Sequence, residues 1–366
     1  MIVDNSDVVV LVTGAGGFVG GHCVKRLLKE GYRVRGTVRS LANDKKVAPI
    51  RELACGDTDK LELVEADLLK DDGWKDAVRG CTYVLHVASP FPIANPSDAD
   101  VLLKPAVEGT LRVLEAAAKE PAVKRVVLCS SIAAVSSGLT GKTKFEESDF
   151  SCEDLSKVTA YQLSKTRAER SAWEFVKNWN ANKANKKRLE MVVINPGLIW
   201  GPALNGNEFS SGEMMAMLLR RAYPAMPKVL LPLVDVRDVA RAHALAMTAP
   251  GAHGRRVFLT LDCINFVDVA KIVSEEFGRQ GYCVPTKGMP NWVVYLGSYF
   301  SDDLKATIPM LDNGVKISYS TDGREAIGMH TLIDAKTCIL SIAYSLIEHG
   351  VVEKKPQYAG APHQYT

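Results

Sequence analysis

The sequence predicts an α/β fold: a doubly wound parallel sheet with helices on both faces, joined to a smaller, discontinuous C-terminal lobe. Three observations predict it. Short β-branched runs alternate with longer stretches of helical period through the first two-thirds of the chain. A glycine-rich turn joins the first run to the first helical stretch. After Asn195 the alternation stops, and Pro196, Gly197, Gly201, Pro202, Gly206, Gly212, Pro224, Pro227 and Pro232 break the chain into loops and short helices.

The strands read as Val8–Thr13, Arg33–Val38, Leu61–Glu65, Tyr83–Val87, Arg125–Cys129 and Glu190–Ile194, with a later one near Val257–Thr260. The clearest helix is Val101–Lys119, where Leu102, Ala106, Leu111 and Leu114 repeat at helical spacing. A helix starting near Asp235 and the strand near Val257 return to the main sheet. Ala335–His349 reads as one amphipathic helix, followed from Lys354 by a polar tail expected to be poorly ordered. The expected boundaries are 1–197, with 233–262 returning to it, for a dinucleotide-binding domain; 198–232 and 263–353 for a substrate lobe; and 354–366 for the tail.

Composition removes several classes of function. The 366 residues carry 45 basic and 42 acidic side chains, mixed along the chain, for a net charge of +3. No basic tract is long enough to track a phosphate backbone, so no nucleic-acid partner is expected. The cluster Lys183, Lys186, Lys187 and Arg188 reads as a solvated helix exit. Eight cysteines lie scattered without CxxC pairs or Cys/His clusters, which signals neither a disulfide framework nor a metal site. The early apolar run, Val8 to Val12, is too short for a secretory signal, and no segment approaches the ~20 apolar residues of a membrane span. A cytoplasmic protein with no membrane partner, monomeric or homodimeric, is expected.

The turn Thr13-Gly14-Ala15-Gly16-Gly17-Phe18-Val19-Gly20 follows the first strand and opens a helix whose apolar residues include Val19, Val24, Leu27 and Leu28. In that context it is a phosphate-binding loop of the Rossmann type. Gly14 permits the turn, Gly17 lets the backbone approach a pyrophosphate, Gly20 allows close helix packing, and the helix N-terminus offers N–H donors to an anion. The second strand ends Thr37-Val38-Arg39-Ser40, with no acidic residue before Asp44 and with Lys45 and Lys46 following. An acidic side chain here would bind the ribose 2′-hydroxyl of NAD, whereas Arg39 suits the 2′-phosphate of NADP(H). Arg39 as a cap on the sheet edge is the other reading. Asp67, followed by Leu68, is placed either to accept from an adenine amino group or to cap the next helix.

Tyr161 and Lys165 stand four apart at the start of a helix, hence on one face. A free phenol, with a pKa of about 10, is a poor acid–base catalyst at neutral pH, and a neighbouring ammonium favours its phenolate. Lysine also has donors for a nicotinamide ribose. Ser131, ending the fifth strand in Leu128-Cys129-Ser130-Ser131, supplies a hydroxyl to orient a carbonyl oxygen and stabilise charge on it. A Tyr-x-x-x-Lys spacing alone describes many surface helices. Behind a glycine loop and a Ser-Ser strand end, it describes hydride transfer between NADP(H) and a carbonyl or secondary alcohol.

With these residues in place, the chain resembles the extended (atypical) short-chain dehydrogenases/reductases of the NAD-dependent epimerase/dehydratase family. Within them it is similar to the branch of dihydroflavonol reductases, cinnamoyl-CoA reductases and fungal ketone/aldehyde reductases. The resemblance runs over nearly the whole chain. It includes His86-Val87-Ala88-Ser89-Pro90, Lys104 to Thr110, Asn195-Pro196-Gly197 with Gly201-Pro202, and Asp235 to Ala240. It implies that Ala88 and Ser89 line the cofactor, that Pro196 and Gly197 pass the nicotinamide, and that Val236 and Asp238 shape the floor between lobes. Where cinnamoyl-CoA reductases carry Asn-Trp-Tyr-Cys-Tyr, this chain has Val158-Thr159-Ala160-Tyr161, and where dihydroflavonol reductases place an asparagine after the catalytic serine it has Ser136. Ala168 to Trp173 is closer to the general aldehyde and ketone reductases. Phe91-Pro92-Ile93, Ile199, Trp200, Phe209, Met214, Met215 and Met217 either line an apolar substrate pocket or pack the second lobe. The expected function is NADPH-dependent reduction of a ketone or aldehyde on a small apolar or aromatic molecule. The alternatives are an NAD-dependent sugar-nucleotide epimerase/dehydratase and a non-catalytic NADP(H)-sensing binding protein.

Overall fold

The computed structural model describes residues 5–89, 99–207, 210–222, 224–299, 308, 311–312 and 314–365. Of the pocket candidates, Phe91, Pro92, Ile93 and Phe209 lie outside the described residues, as does Pro90. In chain order the first elements are β1 (Val9–Val12), α1 (Phe18–Lys29), β2 (Arg33–Val38), α2 (Asp44–Glu52), β3 (Leu61–Glu65), α3 (Trp74–Val78) and β4 (Tyr83–His86). They continue through α4 (Asp100–Lys119), β5 (Arg125–Cys129), β6 (Lys144–Phe145), α5 (Ala160–Ala181), β7 (Glu190–Pro196) and β8 (Leu198–Trp200). Next come α6 (Ser210–Leu219), β9 (Met226–Pro227), β10 (Leu230–Leu231), β11 (Leu233–Asp235), α7 (Val236–Thr248), β12 (Arg256–Leu259), β13 (Ile264–Asn265) and α8 (Phe266–Phe277).

Seven parallel strands form one sheet in the order β12-β7-β5-β4-β1-β2-β3. Consecutive β1 residues Val10, Leu11 and Val12 are all fully buried, as a strand covered by helices on both faces requires. On one face Trp74 of α3, Val113 and Leu114 of α4, and Ala172 and Val176 of α5 pack over Leu11, Val84, Val126 and Met191. The strand order reverses between β1 and β4, so the connections that follow these two strands part, and the crevice outside their carboxyl ends is the place where open α/β sheets bind ligands.

The chain divides into two compact units. One comprises Met1–Pro196, Val239–Leu259 and Ser320–His330; the other comprises Gly197–Asp238, Thr260–Tyr319 and Thr331–Thr366. The return to the sheet unit is thus shorter than 233–262, because β11 pairs with β8 in the second unit. A second return, 320–330, has no counterpart in the sequence reading. Its Gly323 packs so closely on β12 that a β-carbon there would stand 2.3 Å from the Arg256 carbonyl oxygen.

Three local expectations change. Along α4 the buried stripe runs through Leu102, Leu103, Ala106, Gly109, Thr110, Val113, Leu114, Ala117 and Ala118, and Leu111 is off it. Gly109 lets Leu68 approach, since a β-carbon there would lie 2.9 Å from that of Leu68. Lys187 is no solvated exit residue. Its Nζ donates to the Ala117 and Glu120 carbonyls at 3.1 and 2.5 Å, ending α4, and burial lowers its pKa from the usual lysine value. The segment after Lys354 is held by its tyrosines: Tyr365 is buried and stacks on Tyr344 at 5.5 Å, and the Tyr358 hydroxyl donates to Glu348 at 2.9 Å. Two large aromatic rings in an otherwise polar tail supply the apolar area that holds it down.

Tyr365→Ala should therefore lower the unfolding free energy by about 2 kcal/mol. Urea denaturation measures this, and an unchanged midpoint would show that the tail adds nothing to the second unit.

Candidate active site

Because all seven strands are parallel, the residues that leave their carboxyl ends share one edge of the sheet in the order of the strands. Across that edge come Arg39 after β2, the glycine loop after β1, Ala88 and Ser89 after β4, Ser131 after β5, and Pro196 at the end of β7. Residues distant in sequence are brought into one row by topology alone.

The glycine loop is held from both sides. Thr37 of β2 accepts from Gly14 N–H at its hydroxyl and from Ala15 N–H at its carbonyl, each at 3.0 Å. On the other side the buried Thr13 hydroxyl accepts from the Val87 and Ala88 N–H groups at 3.1 and 2.9 Å and lies 2.9 Å from His86 Nδ1. With its lone pairs occupied, the Thr13 hydroxyl donates its hydrogen to Nδ1, which makes His86 the Nε2–H tautomer. Burial, reinforced by the Lys165 charge, pushes the His86 pKa down to about 3.

Gly14 has φ of +67°, a conformation that favours glycine, and a β-carbon there would stand 3.0 Å from that of Ala88. At Gly20 the β-carbon would fall 2.2 Å from the Gly14 carbonyl oxygen, so its closest approach is to the turn itself. Gly17 is the N-cap of α1 and has no side-chain cap, and the first turn, which includes Phe18 and Val19, holds no acidic residue. Such a helix start suits an anion.

Arg39 is exposed and makes no hydrogen bond or ion pair among the described residues, which leaves its guanidinium available to a phosphate. Lys46, in the first turn of α2, is also exposed, and its carbonyl would lie 3.6 Å from a β-carbon on Gly16, so α2 abuts the glycine loop. Asp67 caps locally: its Oδ1 accepts from Leu69 N–H at 3.0 Å, and its carbonyl accepts from Trp74 Nε1 at 3.1 Å. The Leu68 carbonyl accepts from Arg112 at 3.0 Å. Arg39, the uncapped helix and the tight glycine turn together fit a phosphorylated dinucleotide.

The α5 helix starts at a capping box in which Thr159 and Gln162 satisfy each other's backbone N–H groups. This fixes the first turn, where Tyr161 is half-buried. Lys165 is buried. Its Nζ donates to the Ser89 hydroxyl at 3.0 Å and stands 6.0 Å from the Tyr161 ring centroid. The Ser131 hydroxyl accepts from Ala133 N–H at 3.1 Å, capping the 3-10 turn Ile132–Ala134 against which α5 packs. Its hydrogen faces the Pro196 carbonyl at 3.5 Å, a long contact that leaves it available. In the second unit, Gly197 is required because a β-carbon there would meet the Pro232 carbonyl oxygen at 2.0 Å.

Of the pocket candidates, Trp200 and Met215 are fully buried in the core of the second unit, and Trp200 Nε1 donates to the Ser211 carbonyl at 2.8 Å. They pack that lobe. Ile199 and Met217 are half-buried. The sequence reading assigned no role to Thr13, Thr37, His86, Glu169, Asn195 or Arg256. The signals were present as a histidine inside a buried strand, an acid on the apolar face of α5 and an arginine opening β12.

The profile of the NAD dependent epimerase/dehydratase family matches residues 10–259, and the chain belongs to this family. It is similar to a cinnamoyl-CoA reductase of Medicago truncatula, 37% identical over 275 residues, covering 73% of this chain and 80% of that protein. It is also similar to a dihydroflavonol 4-reductase of Hordeum vulgare, 30% identical over 336 residues and covering 89% of each. Among solved structures it is similar to the yeast methylglyoxal/isovaleraldehyde reductase complexed with NADPH. That match has a TM-score of 0.77 at 27% identity and covers 94% of this chain and 99% of that one.

The buried histidines give the fold a pH dependence. His86 and His243 are pushed down to about 3 and about 4 from 6.5, so the folded state holds them neutral where the unfolded chain would take up protons. Their contribution is fully present above pH 6.5 and is lost as pH falls toward these lowered values. Denaturation at a series of pH values should show stability declining through this window, with a shallower decline for His86→Gln; identical slopes would contradict the assignment.

Proposed function

We propose that this chain is an NADPH-dependent reductase of a ketone or aldehyde carried on a small apolar or aromatic molecule. The first unit serves as its cofactor-binding domain and the second as its substrate-binding lobe. The observation that carries the reading is the single row of Arg39, the glycine loop, Ser89 with Lys165, and Ser131 along one edge of the sheet. The similarity to reductases, one of them complexed with NADPH, supports it.

Gly14, Gly17, Phe18, Val19 and Gly20 would hold the pyrophosphate, Arg39 and Lys46 the 2′-phosphate, Asp67 and Leu68 the adenine side, and Ala88, Ser89, Lys165, Pro196 and Gly197 the nicotinamide side. When bound, NADPH supplies the hydride. Ser131 donates its hydroxyl hydrogen to the substrate carbonyl oxygen and stabilises the charge that develops there. Tyr161 gives its phenolic proton to that oxygen. The Lys165 ammonium, already beside the Tyr161 ring, favours the negative charge left on the phenol oxygen. Oxidation of a secondary alcohol is the same path reversed. The eight free cysteines suit a reducing compartment such as the cytoplasm.

NADPH oxidation should be followed with isovaleraldehyde, methylglyoxal, a substituted benzaldehyde, acetophenone and a dihydroflavonol. Turnover of at least one carbonyl is expected, falling by about 1,000-fold or more in Tyr161→Phe while NADPH affinity changes little. Near-normal turnover by that variant would sink the mechanism. Arg39→Ala should weaken NADPH far more than NADH, and equal losses would refute the 2′-phosphate role.

A further inference from the structure

One helical turn beyond Lys165, on the buried face of α5, stands Glu169, whose side chain has no solvent exposure. Its two oxygens accept four hydrogen bonds. Oε1 accepts from Arg256 Nε at 2.5 Å and Trp173 Nε1 at 3.3 Å; Oε2 accepts from the Ser130 hydroxyl at 2.6 Å and Asn195 Nδ2 at 2.8 Å. Four donors, one of them a paired guanidinium, satisfy both oxygens of a carboxyl group sealed from water. Asn195 Nδ2 makes a second donation, to the Ser131 carbonyl at 3.1 Å, while its Oδ1 is buried without a partner. Both neighbours of the amide, the Ser131 carbonyl and the Glu169 carboxylate, only accept, so the nitrogen faces both and each of its hydrogens holds one of them.

We propose that Glu169 is a positioning residue for Ser131. By accepting from Ser130 and Asn195 it holds the Asn195 amide with its donor on the Ser131 carbonyl, and so sets where the Ser131 hydroxyl stands relative to the helix bearing Tyr161 and Lys165. The assignment rests on the reading of those three residues given above. Arg256 completes the clamp from the other side, donating to the Glu147 and Ala134 carbonyls at 2.9 and 3.4 Å and to the Asp149 carbonyl. The loop before α5 and the turn after Ser131 are thereby tied to one guanidinium.

Glu169→Gln alone strands the Arg256 charge and destabilises the fold, whatever its effect on catalysis. The informative variants are Glu169→Leu/Arg256→Met, which removes both charges and leaves no acceptor at position 169 to face Asn195, and Asn195→Ala, which leaves the ion pair intact. Each is assayed with the panel carbonyl that the unaltered protein reduces fastest. A displacement of about 1 Å at Ser131 predicts a kcat lower by about 100-fold. NADPH affinity, read by fluorescence titration, should be unchanged because the hydrogen bonds around Thr13 are untouched. In the cofactor-free protein, amide hydrogen exchange at Ala133 and Ala134, which donate to Ser131, should accelerate in both variants. Two soluble variants with kcat within about threefold of the parent and unchanged exchange at these amides would overturn the proposal. If the variants behave in that way while Tyr161→Phe is inactive, only the positioning role fails; if Tyr161→Phe is active, the underlying reading fails with it.

Discussion

A carboxylate sealed inside an α/β sheet has to be satisfied on every side, and that requirement organises the centre of this protein. Glu169 meets it with donors from the end of β5, from β7, from β12 and from its own helix. Removing one partner from such a pair leaves a bare buried charge, a loss of about 3–5 kcal/mol, so these elements cannot drift apart independently. The helix that carries Tyr161 and Lys165 and the strand end that carries Ser131 are therefore registered to each other by electrostatics as well as by packing.

A second, neutral hub does the same for the glycine loop. Thr13 and His86 join the ends of β1 and β4 through one hydroxyl that accepts two backbone N–H groups and donates to a histidine held neutral by burial. Thr37 joins the loop to β2. Protonation of His86 would turn an acceptor into a donor facing an already occupied oxygen, and the hub would come apart. The neutral hub spans the point where the strand order reverses, the Glu169 hub lies on its β5 and β7 side, and Lys165 links α5 to the loop after β4 through Ser89. These ties are concentrated where the proposed function needs a dinucleotide and a carbonyl group held in register.

Much of this was legible in the sequence because it depends on local pattern. The glycine turn between a β-branched run and a helix, the four-residue spacing of Tyr161 and Lys165, and the Ser-Ser strand end are features of neighbouring residues, and parallel topology then aligns them. The rest depends on contacts between distant positions. Glu169 and Arg256 are 87 residues apart, and each alone reads as an ordinary charged residue. The tail from Lys354 looks polar by composition, yet Tyr358 and Tyr365 anchor it. The segment 320–330 returns to the first unit through close backbone packing at Gly323, which no periodicity announces. Trp200 and Met215 carried the apolar character of a pocket and turn out to be core, because apolar residues at a lobe's centre and at its surface look alike in sequence.

The central claim is net hydride transfer from NADPH to a carbonyl carbon at a site organised by Ser131, Tyr161 and Lys165. The most direct test is to supply NADPH deuterated at C4 on the transferred face and locate the label by mass spectrometry. The account predicts one deuterium on the carbinol carbon of the product for each NADPH consumed. An isomerised product, with the label retained in the nucleotide and no net NADPH consumption, would contradict it.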